Sequence, residues 1–170
     1  AVAGTVDAFV EKMNQRAQEL GCANTHFANT TGLTQSGHYS SAWDIYLITR
    51  EAMKHDTFMT IVNTKAYTVP ATNMTDKARE LHSTNALISN WRMTGYLYSG
   101  AQGIKTGSTD AAGLCLVSSA VRGSRTLISV VLGCEEVKTE TGGTRVESFS
   151  ETARLFDWGF DNFADRTVLD

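Results

Sequence analysis

The chain has 170 residues, 42% of them hydrophobic and 19% charged, a size and balance that suit one soluble domain spanning residues 1–170 with a sizeable core. Its formal net charge is −3 and no run of basic residues exceeds two, so a phosphate-binding surface and nucleic-acid partners are excluded. No stretch of about 18 apolar residues occurs, which argues against a spanning helix, and no signal peptide opens the chain, as would also hold for a mature or trimmed protein.

Val6, Phe9, Val10, Met13, Ala17 and Leu20 recur at spacings of three and four, which predicts a helix stopped by Gly21. Asn24 to His38 is rich in Asn, Thr and Gly and reads as a loop. Ser41 and Asp44 resemble a capping box with Asp in place of Glu, opening a helix to about Lys54. Asp56 to Thr64 suits a short third helix. Lys65 to Pro70 alternates like a strand, Pro70 to Lys77 reads as a turn, and Glu80 to Leu87 as a short extended piece. Gly103 to Gly107, Gly113 to Val121 and Thr126 to Gly133 follow as strands, the last two joined by the hairpin signal Arg122-Gly123-Ser124-Arg125. Both faces of these runs are apolar, so helices are expected on both sides of the sheet. Phe149, Ala153, Phe156, Phe160 and Phe163 then step by four and three along a C-terminal helix, weakened late by Gly159. That stripe reads as a buried face rather than a ligand site.

The side chains of known chemistry divide into a few groups. Cys22, Cys115 and Cys134 are three cysteines without Cys-x-x-Cys spacing, so zinc ligation is unsupported. Cys115 and Cys134 read as small core residues, with one disulfide left open in an oxidising compartment. His26, His38, His55 and His82 form no metal pattern, and neither a metal nor a cofactor is implied. Asp44 and Asp110 suit capping and turn positions better than acid catalysis. No Ser-His-Asp set is singled out. A P-loop reading fails because Gly103 is not followed directly by Lys.

Lys105-Thr106-Gly107 carries the strongest signal. On a strand, Lys105 and Gly107 share one face and Thr106 takes the other, unless a local twist turns both side chains to one cleft. Lys105 offers a compact charge for an anionic substrate or a deprotonated neighbour. Thr106 offers a hydroxyl to a carboxylate. Gly107 lets another backbone approach, as in pairing of an extended peptide with a sheet edge. The Ser108 N–H can serve an oxyanion.

Gly103-Ile104-Lys105-Thr106-Gly107-Ser108-Thr109-Asp110-Ala111-Ala112-Gly113 with the Leu-Cys-Leu-Val-Ser-Ser-Ala that follows resembles the serine-type D-alanyl-D-alanine carboxypeptidases, the low-molecular-mass penicillin-binding proteins. So do Asp7 to Asn14, the stretch from Leu20-Gly21 through Asn24-Thr25-His26-Phe27-Ala28-Asn29 to Gly32-Leu33, Tyr39-Ser40-Ser41-Ala42 with Asp44, and Trp158-Gly159-Phe160. These blocks stand in family order over nearly the whole chain. The resemblance implies an α/β fold, a mainly antiparallel sheet flanked by helices, incomplete here. It implies a reaction in which a serine attacks the penultimate D-Ala carbonyl, releases D-Ala, and the acyl-enzyme is hydrolysed. The implied partners are peptidoglycan stem peptides ending in D-Ala-D-Ala, and β-lactams in the complete enzyme, in an extracytoplasmic, cell-envelope location. Lys105, Thr106, Gly107 and Ser108 are the implied cleft residues.

The departures are specific. The nucleophile motif Ser-x-x-Lys occurs nowhere in the chain, so the isolated chain is expected to be inactive, and association with a missing N-terminal segment, or with itself, is expected. Ser83-Thr84-Asn85 fits the family's second motif, Ser-x-Asn, literally, but it lies too close to Lys105 in sequence to be that element. The family's Arg near the start of the last helix falls at Ser148, which leaves Arg145 as a candidate contact for the substrate carboxylate. The family's common His near Gly32-Leu33 is Thr31. A non-catalytic peptidoglycan-peptide binding module, or a fragment of a β-lactamase or transpeptidase relative, are the alternatives.

Overall fold

The structure, a computed structural model, describes residues 2–166; residue 1 and residues 167–170 lie outside them. The elements run α1 (Val6–Glu19), α2 (Ala42–Ala52), α3 (Asp56–Asn63), β1 (Ala66–Val69), β2 (Arg79–His82), β3 (Ala101–Thr109), β4 (Gly113–Arg122), β5 (Arg125–Cys134), β6 (Glu136–Lys138), β7 (Thr144–Val146) and α4 (Glu147–Asn162). All four helices and the three long strands form where the sequence reading expects them.

Local chemistry sets the helix starts. The Thr5 hydroxyl accepts from Ala8 N and caps α1. Ser41 does the same for α2, accepting from Asp44 N at 3.2 Å. Asp44 then departs from a capping box. Its Oδ2 accepts from Asn24 N and from the Thr25 hydroxyl, each at 2.7 Å, so it fastens the loop after α1 to the start of α2. The residue is 1% exposed. Burial alone would raise its pKa, but the hydrogen bonds from Thr25 and the Asn24 N–H outweigh that and hold it below the usual carboxylate value. Ala17, Cys22 and Leu47 form the small core beneath these two helices.

β3, β4 and β5 make one antiparallel sheet in that order. Its core face follows from strand alternation. Leu116 and Ala120 of β4 and Val131 of β5 are buried together against Val146, Phe149, Phe156 and Phe160 at the start of α4 and along it. On the other face Val117, Val121, Ile128 and Val130 are only half-buried and Leu132 is exposed. α2 approaches β5 and α3 approaches β3. Helices thus flank the sheet, but unevenly: α4 seals one face and the other keeps open apolar surface.

Three expectations are modified. Phe163 does not join the aromatic stripe; it is the C-cap of α4, exposed, with its ring edge-on to Trp158. Gly159, expected only to weaken the helix late, serves its packing: it is buried where a Cβ would come 2.7 Å from Leu127 Cδ1, and the lack of one lets α4 lie down on β5. The extended piece from Glu80 stops at His82. Residues 86–88 form a turn that is buried, with Ala86 and Leu87 each 1% exposed. Asn85 is responsible, since its Oδ1 accepts from Leu87 N at 3.0 Å and folds the backbone back.

The thiols of Cys22, Cys115 and Cys134 are free. Cys134 pairs with Leu114 on the face covered by α4. Cys115, one residue on, alternates away from it. Burial pushes the Cys134 thiol pKa up, and the nearby Glu147, Cys115 and Glu151 add to the effect.

Candidate active site

Lys105, Thr106 and Gly107 sit in the middle of β3, which among the described residues pairs with β4 alone and so forms an edge of the sheet. Thr106 lies opposite Leu116, Gly107 opposite Cys115 and Ser108 opposite Leu114. The register shifts between Gln102 and Lys105. Such an irregularity changes the phase of alternation just before the triplet. Lys105 and Thr106 themselves pair in regular register with Val117 and Leu116, and both border the same two clefts because these lie along the outer strand of the sheet.

What holds β3 in this place is a set of contacts around Gly103. Its carbonyl accepts from the Ser118 hydroxyl at 2.6 Å and from the side-chain amide of Asn85. Its φ is +59°, and a Cβ there would come 2.8 Å from Val62 Cγ2 on α3. Glycine is required at this point for both reasons. Gly107 differs: a Cβ there would meet no protein atom within 4 Å, so the packing of the chain does not itself demand glycine.

Ser83-Thr84-Asn85, far from the expected location of a second motif, lies beside the triplet in space. The Thr84 hydroxyl is 2.6 Å from the Thr106 hydroxyl. Thr84 lines both clefts, and Asn85 is 3% exposed and bonded to β3. The only sequence signal for these contacts is the polar triplet itself in front of an apolar run. Thr34 Oγ1 donates to Thr109 Oγ1 at 3.0 Å, which docks the loop after α1 on the end of the same strand.

The first cleft has a volume of about 390 Å³ and is lined by Lys105, Thr106, Gly107, Ser108, Arg92 and Ser148, among others. Ser148, the second residue of α4, is 4% exposed and brings a small hydroxyl to the wall. The second, about 560 Å³, is an apolar groove between α3, the β1–β2 hairpin and β3, lined by Ile61, Val62, Tyr67, Leu81 and Ile104. Arg145 lines neither. It is exposed on β7, opposite Val137, with its Nη2 3.4 Å from Glu147 Oε1, and it borders a separate cavity near Tyr96. The structure therefore gathers Lys105, Thr106, Gly107 and Ser108 and leaves Arg145 apart. Among the described residues no group of His, Cys, Asp or Glu is placed to hold a metal ion.

A sequence model of the D-alanyl-D-alanine carboxypeptidases, peptidase S11, matches residues 1–136. The chain belongs to the D-alanyl-D-alanine carboxypeptidase family. It is 36% identical to the D-alanyl-D-alanine carboxypeptidase DacF of Bacillus subtilis over 95% of its own length and 37% of the relative's. It is 38% identical to the D-alanyl-D-alanine carboxypeptidase of Streptomyces sp. strain K15, over 93% of its length and 50% of the relative's. In three dimensions it matches the D-alanyl-D-alanine carboxypeptidase of Mycobacterium tuberculosis with a TM-score of 0.77 at 32% identity, covering 98% of this chain and 58% of that one. The Streptomyces K15 DD-transpeptidase matches with a TM-score of 0.74 at 36% identity, covering 91% and 55%. The chain thus spans about half the length of these family members or less. Among the described residues no helix is long and apolar enough to cross a membrane.

Proposed function

We propose that this chain is one domain-sized part of a serine D-alanyl-D-alanine carboxypeptidase that removes the terminal D-Ala from peptidoglycan stem peptides in the extracytoplasmic cell envelope. The observation that carries the reading is Lys105-Thr106-Gly107 on an edge strand that opens to a cleft, in a chain of this family. The free edge of β3 suits an extended peptide added as a further strand. The open space at Gly107 suits close approach of its backbone. Thr106, steadied by Thr84, offers a hydroxyl to the peptide's carboxylate, and Lys105 supplies positive charge where the reacting serine must lose its proton. The Ser108 N–H is the proposed donor to the carbonyl oxygen as it becomes tetrahedral and negative.

The chain contains no Ser-x-x-Lys, so the nucleophile has to come from elsewhere in the complete enzyme. The apolar groove beside Lys105 and the half-covered face of the sheet support docking of that remaining part, because burying them is favourable by about 25 cal/mol per Å². β-Lactams are proposed ligands of the complete enzyme only. The test compares the isolated chain with the complete protein. The complete protein is expected to release D-Ala from a D-Ala-D-Ala peptide and to be labelled covalently by a fluorescent penicillin. Failure of both in a folded complete protein would overturn the reading.

A further inference from the structure

We infer that Arg92 is the specificity-determining cation of this cleft, the group that recognises the terminal carboxylate of the substrate. The inference rests on the carboxypeptidase reading above and adds to it a residue outside the Lys-Thr-Gly strand.

The cleft holds two cations, Lys105 and Arg92, against one carboxylate, Glu136, so the ligand end that fits it is an anion. The two cations are not equivalent. A lysine is a point charge, whereas the guanidinium is planar and binds both oxygens of a carboxylate at once. Lys105 already donates to the carbonyl of Thr106. Arg92 is exposed and, among the described residues, makes no ion pair and no side-chain hydrogen bond. Arg145, the other candidate, is drawn off by Glu147 and lines a different cavity. Ser148, at the head of α4, brings only a hydroxyl.

The loop that carries Arg92 is fixed on both sides of it. The Trp91 ring stacks on His82 of β2 with centroids 4.7 Å apart and planes within 7°. Met93 packs against the core beneath α4. An arginine between two anchored neighbours leaves the backbone at a set point and keeps only its own side-chain freedom. That is the arrangement a recognising cation needs to bind without ordering a whole loop.

The experiment titrates the isotope-labelled chain with an acetylated tripeptide ending in D-Ala-D-Ala and with the same peptide as its C-terminal amide. Backbone resonances of Lys105 to Ser108 report binding at β3. The wild-type chain is expected to prefer the acid at least tenfold. Arg92→Gln is expected to bring that ratio towards one while the affinity for the amide stays the same, Arg92→Lys to restore part of it, and Arg145→Gln to leave it unchanged. A ratio kept in Arg92→Gln, or lost in Arg145→Gln, overturns the assignment and leaves the carboxypeptidase reading in place. So does equal binding of acid and amide by the wild-type chain. If neither peptide moves the β3 resonances, the assignment and the reading of the cleft fall together.

Discussion

The hydroxyls of Thr84 and Thr106 lie 2.6 Å apart and join the turn after β2 to the Lys-Thr-Gly strand. A free threonine hydroxyl samples several rotamers, and this bond selects one. It directs the remaining donor or acceptor capacity of Thr106 into the cleft. Thr84→Val keeps the shape and removes the bond. In the complete enzyme it is expected to lower kcat/KM for a D-Ala-D-Ala peptide by about three- to tenfold, consistent with a neutral hydrogen bond worth about 1 kcal/mol. Thr84→Ser should recover most of the activity, which a purely steric role for Thr84 would not produce.

Lys105→Ala and Thr106→Val act on the proposed reacting groups themselves. Charge-assisted contacts are worth about 1.5–3 kcal/mol, so each variant should lose about tenfold to a hundredfold in kcat/KM in the complete enzyme. Circular dichroism must first establish an unchanged fold. Full activity of a folded Lys105→Ala protein would remove the triplet from the mechanism.

The isolated chain should not be acylated. Incubated with a fluorescent penicillin and run on a denaturing gel, it should show no band, whereas the complete protein should show one. A band from the isolated chain would mean that a residue among these 170 acts as the nucleophile.

Asn85 should be the most sensitive polar residue near the site. It is 3% exposed, donates to the Gly103 carbonyl and accepts from Leu87 N. Asn85→Leu leaves that buried N–H without its partner, at a cost of about 2–4 kcal/mol from the lost bonds and the unsatisfied group. Urea unfolding with an unchanged m-value would measure it. Stability within about 0.5 kcal/mol of the wild type would show that the turn holds without its side chain.

Stability should also fall at alkaline pH. Burial, then the hydrogen bond to Asp157, raise the Tyr98 phenol to about 12, and Arg122 opposes them. A phenol whose pKa is raised by folding stabilises the protein fully below its unfolded value of about 10, and that contribution is lost as the pH rises from about 10 to 12. The bond itself is 2.7 Å long and Arg122 closes the network onto α4. Thermal melts of Tyr98→Phe should show a weaker pH dependence in that window than the wild type.

The parts of this fold that sequence discloses are those with a strong local cause. The α1 face, the Ser41 cap, the Arg122 to Arg125 turn and the Phe149–Phe160 stripe each repeat one physical rule several times. The site is only partly local. Lys105 to Ser108 are contiguous and were legible together. Thr84 and Arg92 reach the same cleft through a turn made by Asn85 and a loop held by the Trp91–His82 stack. Neither of these has a periodicity. The same holds for Arg145, whose distance in sequence from Ser148 is small but whose strand, β7, points it towards Glu147. Proximity along the chain says little about which wall of a cleft an exposed arginine joins.

The two outer strands of the three-stranded sheet have opposite characters. β3 presents Lys105 and a run of hydroxyls, Thr106, Ser108 and Thr109. β5 presents Leu127-Ile128-Ser129-Val130-Val131-Leu132, six residues without charge or proline. A lysine on an edge discourages a second sheet from adding there, while an uncharged run rich in β-branched residues invites it. The strand proposed to receive the substrate is therefore also the one guarded against fibrillar stacking, whereas the one charge on β5, Arg125, stands at the start of the strand and donates to the carbonyls of Phe160 and Phe163. A lysine placed at Leu132, which is 42% exposed, would guard that run without touching the face beneath α4, and would make the chain easier to keep in solution during refolding.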